Sequence, residues 1–301
     1  MPPLGADDAP ADLPRVAPRD RDTSKRDYGR VLVVGGASGM AGAPALAALA
    51  ALRSGAGLVE MAVPESVAAI AAGFDPCVMT HGHQAEPGGT FAASAEPSIR
   101  ARTDQADAVA IGPGLGRTPA VAALVHGLWR ELPQPAVFDA DALFPLAALD
   151  AARLASHAGP RILTPHAGEM LRLLGQSPTD PRARDRQWLE ARAADMAREI
   201  GAVIVLKGPA TFVVDGSRQA HNETGNPGMA TGGTGDVLTG VIAALLAQGL
   251  MPFDAARLGV WVHGRAGDIA ARDLGEISMT ARDLVDRLSR AWCDATALRS
   301  S

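Results

Sequence analysis

The chain has 301 residues, 47% of them hydrophobic and 20% charged, with a formal net charge of −5. That length and apolar content suit one large α/β domain with a sizeable core. The mild acidity gives no electrostatic case for a nucleic-acid partner, and no apolar run reaches the roughly 18 residues of a membrane span.

Residues 1–22 are rich in Pro, Ala, Asp and Arg and lack an apolar h-region, so they read as a disordered lead-in rather than a secretory signal. A single domain is expected over 23–301. Arg30–Val34 is a strand ending in Gly35-Gly36, and Ala43–Arg53 is a helix stopped by Ser54-Gly55. Gly57–Val63 is the next strand. Asp107–Ile111 is another, ending in Gly112-Pro113-Gly114-Leu115-Gly116, with a helix from about Thr118. Pro135–Phe138 runs into Asp139-Ala140-Asp141, and Arg161–Leu163 into Thr164-Pro165-His166. A helix over Gln187–Ile200 precedes the strand Ala202–Leu206, which ends at Lys207-Gly208. Thr211–Val214 and Arg218–His221 flank Asp215-Gly216, a hairpin signal. The last third is helical, over about Gly235–Gln248, Asp254–Arg272 and Thr280–Ala295. Strands alternating with helices imply a mainly parallel sheet covered on both faces. Ligands of such sheets bind beyond the carboxyl ends of the strands, so the Gly-, Asp- and His-bearing turns should gather along one edge.

Thr231–Asp236 carries the strongest chemical signal. Five glycines lie between Asn222 and Gly235, and an apolar helix follows. Gly232, Gly233, Thr234 and Gly235 can turn their backbone amides on an anion, and the helix start adds its positive end. Asp236 is then either an N-terminal helix acid or a general base beside a bound phosphate. No Walker A pattern occurs. Lys207 is one of only two lysines, against 26 arginines. At a strand end before Gly208-Pro209 it can meet a phosphate as a compact charge. His166 is a candidate substrate contact or a satisfied polar residue. Glu169 is a candidate first-turn helix acid. Asp139 and Asp141 either bind a metal–phosphate group or cap a helix. The metal ligands themselves stay open at this point.

Gly36-Ala37-Ser38-Gly39-Met40-Ala41-Gly42 imitates a dinucleotide-binding loop, with Glu60 as its ribose-binding acid. The only tyrosine, Tyr28, precedes this loop, so the Tyr-x-x-x-Lys pair of short-chain dehydrogenases cannot form. That reading also leaves the C-terminal glycine-rich segment without a purpose. Cys77 and Cys293 lack metal spacing and fit a reducing, cytoplasmic setting.

In chain order these segments resemble the ADP/ATP-dependent NAD(P)H-hydrate dehydratases of the ribokinase-like superfamily. The resemblance runs from about Ser24 to Arg290. It is carried by Tyr28–Gly36, Ala50–Val59, Ile111–Gly116, Asp139–Leu143, Leu163–Glu169, Val205–Gly208, Thr224–Asn226, Gly232–Gly240 and His263–Asp268. It implies a three-layer ribokinase-like fold and a repair reaction. Hydrated NADH or NADPH, with a hydroxyl on carbon 6 of its nicotinamide ring, is dehydrated at the expense of ADP, or of ATP, with Mg2+ expected. With ADP the products are AMP and phosphate.

Carried over residue by residue, Ala43, Gly114 and His166 match contacts to the hydrate, and Asp236 matches the residue at the reacting hydroxyl. Lys207, Gly208, Pro209, Ala210, Thr211 and Gly235 match contacts to the adenine nucleotide. Arg26 and Pro44 depart from the usual pattern, and both are expected near the substrate end. The family tends to oligomerise, so a homo-oligomer, a tetramer being one form, is expected. The epimerase domain that often accompanies the family is expected as a separate protein, because the segment before the first strand is too short to be one. A small-molecule kinase of the thiazole or hydroxymethylpyrimidine type is the alternative. It would share the glycine-rich loop and the acid, but the Ala-Leu-Arg-Ser-Gly-Ala-Gly and Thr-Pro-His-x-Gly-Glu segments favour the dehydratase.

Overall fold

The structure is a computed structural model and describes residues 9–177 and 179–296. Nine strands form one sheet: β1 (Arg30–Val34), β2 (Leu58–Pro64), β3 (Met79–His83), β4 (Ala108–Ile111), β5 (Ala136–Phe138), β6 (Arg161–Leu163), β7 (Val203–Leu206), β8 (Phe212–Val214) and β9 (Gln219–His221). Their spatial order is β3-β2-β1-β4-β5-β6-β7-β8-β9. Every neighbouring pair from β3 to β7 is parallel, and β8 and β9 close the far edge antiparallel.

The helices are α1 (Gly42–Arg53), α2 (Glu65–Ala72), α3 (Glu96–Thr103), α4 (Pro119–Glu131), α5 (Leu143–Leu146), α6 (Ala151–Ala155), α7 (Ala167–Leu173), α8 (Arg186–Ile200), α9 (Thr234–Ala247), α10 (Pro252–Leu274) and α11 (Ala281–Thr296). The period-two alternation of the strands splits the core into two layers. In β1, Val31 and Val33 face the layer of α1, α2 and α9–α11, whereas Leu32 and Val34 face that of α3–α8. The result is the three-layer α/β architecture expected. The central strands are buried on both faces, which is why they read as unbroken apolar runs.

Three local outcomes differ from the sequence reading. β3 was not visible because Met-Thr-His-Gly-His is a largely polar edge strand whose residues are mostly half-buried or exposed. The hairpin between β8 and β9 has a loop over 215–218 rather than a two-residue Asp-Gly turn. The Asp215 carboxylate closes it by accepting hydrogen bonds from the amides of Ser217 (2.8 Å) and Arg218 (2.6 Å). The lead-in is the third. Residues 9–22 form no helix or strand, yet Leu13 is buried. Asp12 pairs with Arg257 of α10, and Arg19 donates to the Gly55 carbonyl at 2.6 Å. Over 9–22 the segment expected to be disordered thus carries one buried leucine, one ion-pairing aspartate and one arginine bonded to a carbonyl, contacts that composition alone does not reveal. Residues 1–8 of that expectation lie outside the described residues. Among the described residues no helix is long and apolar enough to cross a membrane.

Candidate active site

The first turn of α9 is built by its glycines. Gly233 caps the helix at φ +89°, a left-handed conformation that L side chains rarely adopt, and no side chain caps the exposed amides. A Cβ there would also lie 2.6 Å from Leu46 Cδ1 and 3.0 Å from Ala281 Cβ. Gly232 borders open space. Thr234 is buried; its hydroxyl donates to the Thr231 carbonyl (2.9 Å) and its carbonyl accepts from His263 Nε2 (2.9 Å). Burial holds His263 at a pKa of about 4, so it is a neutral donor that fixes the turn. The free amides of this turn and its dipole make a site for an anion.

Gly235 faces the charged floor of the site. A Cβ on it would lie 3.3 Å from Lys207 Nζ and 3.7 Å from Asp139 Oδ2. Lys207 Nζ donates to Asp139 Oδ1 at 2.7 Å and stands 3.9 Å from Glu169 Oε2. Burial works against the Lys207 charge, but Asp139, Glu169 and Asp236 outweigh it and hold the ammonium above its ordinary range. Asp139 receives a second bond from the Thr239 hydroxyl, 2.7 Å, on its other oxygen. Burial pushes its carboxyl up, and the Lys207 charge with the Lys207, Thr239 and Thr164 hydrogen bonds more than reverses this, so it stays ionised. Asp139 thus neither caps a helix nor stands free for a metal. Asp141 is likewise engaged, accepting from the Gly116 amide (3.0 Å) and Arg117 Nε (2.8 Å). Among the described residues no group of three His, Cys, Asp or Glu side chains could hold a metal ion.

Asp236, in the same first turn, is in a different state. Burial, then the Asp139 charge, with Asp141 adding and Lys207 opposing, raises its carboxyl pKa to about 7. A carboxyl titrating near neutrality beside an anion site is suited to accept a proton.

The loop after β7 carries Lys207, Gly208, Pro209, Ala210 and Thr211. Gly208 lies at φ +141° and Ala210 at +50°, both left-handed. Arg186 of α8 secures this backbone, donating to the carbonyls of Leu206 (3.1 Å), Lys207 (3.3 Å) and Ala210 (3.0 Å). Thr211 closes the loop through a bond to the Gly208 carbonyl. The Thr224–Asn226 segment is tied to α10. Asp268 accepts from the Gly225 amide (3.0 Å) and from Asn226 Nδ2 (3.1 Å).

Ala43 and Gly114 meet. Gly114, at φ +58°, would place a Cβ 3.2 Å from Ala43 Cβ and 2.8 Å from Met40. The Gly36 loop donates to the Pro113 and Gly114 carbonyls, so the imitation dinucleotide loop serves as a wall beside this glycine turn. Glu60, its supposed ribose-binding acid, is buried in mid-strand with His81 (2.8 Å) and Arg30 (3.4 Å). His166 caps α7. Its Nδ1 accepts from the Gly168 amide (3.0 Å), Glu169 completes the capping box, and the rest of the imidazole is exposed. Pro44 occupies the first turn of α1, as its geometry allows. Arg26 does not lie near this site. It precedes β1, at the amino ends of the strands, where Gly57 packs on the neighbouring Lys25 carbonyl. Sequence reasoning missed Thr239 and Arg186, and it left the partner of Asp139 open. An apolar helix and a long-range guanidinium contact carry no local signature of such roles.

Comparisons with known proteins agree with this architecture. Residues 31–290 match the family described as NAD(P)H-hydrate dehydratase. Over 277 residues the chain is 49% identical to a bifunctional NAD(P)H-hydrate repair enzyme of Moorella thermoacetica, covering 92% of this chain and 51% of that protein. A namesake from Thermofilum pendens is 38% identical over 283 residues, with 94% and 52% covered. The chain therefore spans about half the length of these curated relatives. Among solved structures, the ADP/ATP-dependent NAD(P)H-hydrate dehydratase of Bacillus subtilis, co-crystallised with ATP and Mg2+, superposes with a TM-score of 0.75 at 30% identity, covering 93% of both chains. The hydroxyethylthiazole kinase of Pyrococcus horikoshii, at 20% identity and a TM-score of 0.59, covering 88% of this chain and 89% of that one, shares the ribokinase-like fold alone. The chain belongs to the NAD(P)H-hydrate dehydratase family, a family of hydro-lyases, and not to the kinases that share its fold.

Proposed function

We propose that this chain restores NADH and NADPH from their 6-hydroxy hydrates, using ADP, or ATP in its place, as the phosphoryl donor. The observation that carries the reading is the first turn of α9, where uncapped amides, the Lys207 ammonium and an Asp236 carboxyl with a pKa of about 7 converge. Hydroxide is a poor leaving group and phosphate a good one. Asp236 takes the proton of the carbon-6 hydroxyl while its oxygen attacks the terminal phosphorus of the nucleotide. With ADP, the bond to the α-phosphate oxygen breaks and AMP leaves. The Gly232–Gly235 amides and Lys207 stabilise the charge on the transferring group. The ring nitrogen then supplies the electron pair that expels phosphate from carbon 6. Loss of a proton from carbon 5 restores the dihydronicotinamide, chemistry that belongs to the substrate.

In this reading Ala43, Gly114 and His166 line the hydrate end, and Lys207–Thr211 with Gly235 hold the nucleotide. Mg2+ fits as an ion carried by the nucleotide phosphates. Asp139 and Asp141 are already engaged, and this ion keeps waters and takes few protein ligands. When bound it would neutralise phosphate charge. We place the reaction in a reducing, cytoplasmic setting, in a homo-oligomer, alongside the separate epimerase activity that the family resemblance implies.

The test is incubation with hydrated NADH and ADP or ATP, following the dihydronicotinamide absorbance and the nucleotide products. Recovery of absorbance with stoichiometric AMP and phosphate is expected for ADP. Asp236→Asn should lower kcat by about 10²–10⁴-fold. Absence of recovery with both nucleotides, or an unimpaired Asp236→Asn enzyme, refutes the reading.

A further inference from the structure

Asp139 follows β5 and is 1% exposed. A carboxylate so buried persists only when paired and hydrogen-bonded. Its partners come from different elements: Lys207 follows β7 (2.7 Å), Thr239 lies one turn along α9 from Asp236 (2.7 Å), and Thr164 follows β6. Gly235 packs directly over the Asp139–Lys207 pair, which a side chain larger than hydrogen would meet. The pair is therefore the floor under the turn that carries Asp236. The spacing of Thr239 puts its hydroxyl on the buried face of the same helix, so Asp139 is bonded to the helix it underlies.

We propose that Asp139 is a positioning residue for the reaction proposed above: its carboxylate holds the Lys207 ammonium under the first turn of α9 and, as a fixed negative charge beside Asp236, keeps that side chain ready to accept a proton. The inference rests on the reading of Asp236 as the base. The other charges facing Asp236 are few. Lys207 opposes Asp139 from the loop after β7. Asp141 adds to it, partly neutralised by Arg117. Glu169 of α7 acts only through Lys207, and His263 of α10 is neutral. Of the negative groups, Asp139 contributes more than Asp141. Without it, only burial and Asp141 would oppose the Lys207 charge, so the ionised form of Asp236 would be favoured more and would be a weaker base.

Asp139→Asn keeps the shape but removes the charge and turns one of the two accepting oxygens into an amide donor, which the Thr239 hydroxyl can accept. Thr239→Val removes one bond and keeps the charge. The Asp236 carboxyl is titrated by carbon-13 NMR in each full-length protein, assigned by the signal lost in Asp236→Asn. In Asp139→Asn its midpoint should fall by about one pH unit or more, and in Thr239→Val it should stay near the wild-type value. If Asp139→Asn does not fold, Asp139→Asn with Lys207→Met buries no lone charge. That pair should still titrate Asp236 below wild type, since Asp139 outweighs Lys207 there. An unmoved midpoint, or an equal shift in Thr239→Val, overturns the inference. A shifted midpoint that the pH profile of hydrate turnover does not follow sinks the role of Asp236 as base, and with it the positioning role of Asp139 in the reaction, and leaves only the charge coupling between the two carboxyls.

Discussion

At the scale of single residues, the candidate site depends on side chains that hold its backbone in place. Arg186 donates to the last carbonyl of β7 and to two carbonyls of the loop that follows, and pairs with Glu190 at 2.7 Å. That loop holds a non-glycine residue, Ala210, at positive φ, so its shape must be imposed from outside. Arg186→Ala should raise the KM for nucleotide about tenfold, roughly 1.4 kcal/mol, while kcat changes less. Arg186→Lys should not restore it, because an ammonium cannot fork across separated carbonyls. Steady-state kinetics at varied nucleotide and saturating hydrate measure the split. An equal loss in kcat would show that the loop serves chemistry rather than binding. Asp236 and Lys207 stand out in the sequence because each lies beside glycine, the first at the start of an apolar run and the second at the end of one. Arg186 does not, since 26 arginines give no hint of which one turns inward.

At the scale of elements, α9 must approach the sheet and α1 closely enough to set its first turn on the floor of the site. Gly240 permits this: a Cβ there would lie 1.9 Å from the Ala47 carbonyl oxygen of α1. The obstacle is backbone, which cannot rotate away. Gly240→Ala should destabilise the fold by about 1–3 kcal/mol, toward the upper end, despite the higher helix propensity of alanine. Urea unfolding checks this, and a neutral or stabilising outcome would contradict the tight α1–α9 crossing. The long strands and helices of the core were readable because burial on both faces, or on one stripe, imposes a pattern on the chain. β3 and the extent of the seven-residue α7, beyond Glu169 as a first-turn acid, were not. The first is a polar edge, and the second is held by a His–Glu capping box with too few turns to show a period.

At the scale of the whole molecule, three buried groups set how stability varies with acidity. Burial holds His83 and His263 near a pKa of about 4, against 6.5 for an exposed imidazole, and raises Asp236 to about 7 from 3.8. Around pH 5 the unfolded chain therefore binds two protons that the native histidines refuse, while native Asp236 binds one that the unfolded chain has lost. The balance is one extra proton on the unfolded state. Stability should rise with pH there by about 1.4 kcal/mol per unit. The histidine contribution is complete above pH 6.5 and is lost as pH falls toward 4. The Asp236 contribution runs the other way, complete below 3.8 and lost as pH rises through 7. Asp236→Asn should therefore steepen the slope near pH 5 to about two protons and leave the variant more stable than wild type at pH 8. Urea midpoints over this range test the sign, and a slope unchanged by the substitution would exclude a protonated native Asp236.

The sequence by itself determined the parallel α/β architecture, because doubly buried strands must be apolar and their crossovers must be helices. It also put glycine, aspartate and lysine at strand ends, the edge where ligands of parallel sheets bind, and on that the proposed site rests. Only the tertiary structure decided what those residues do to one another. Whether Asp139 held a metal, capped a helix or anchored Lys207 depended on the end of β7, 68 residues further along the chain and two strands away in the sheet, coming within reach of the end of β5. Glu60 became a buried ion-pair partner instead of a ribose-binding acid, and the lead-in over 9–22 became packed chain instead of a free tail, for the same reason. Charge, desolvation and close approach are properties of distance in space, and local pattern does not encode it.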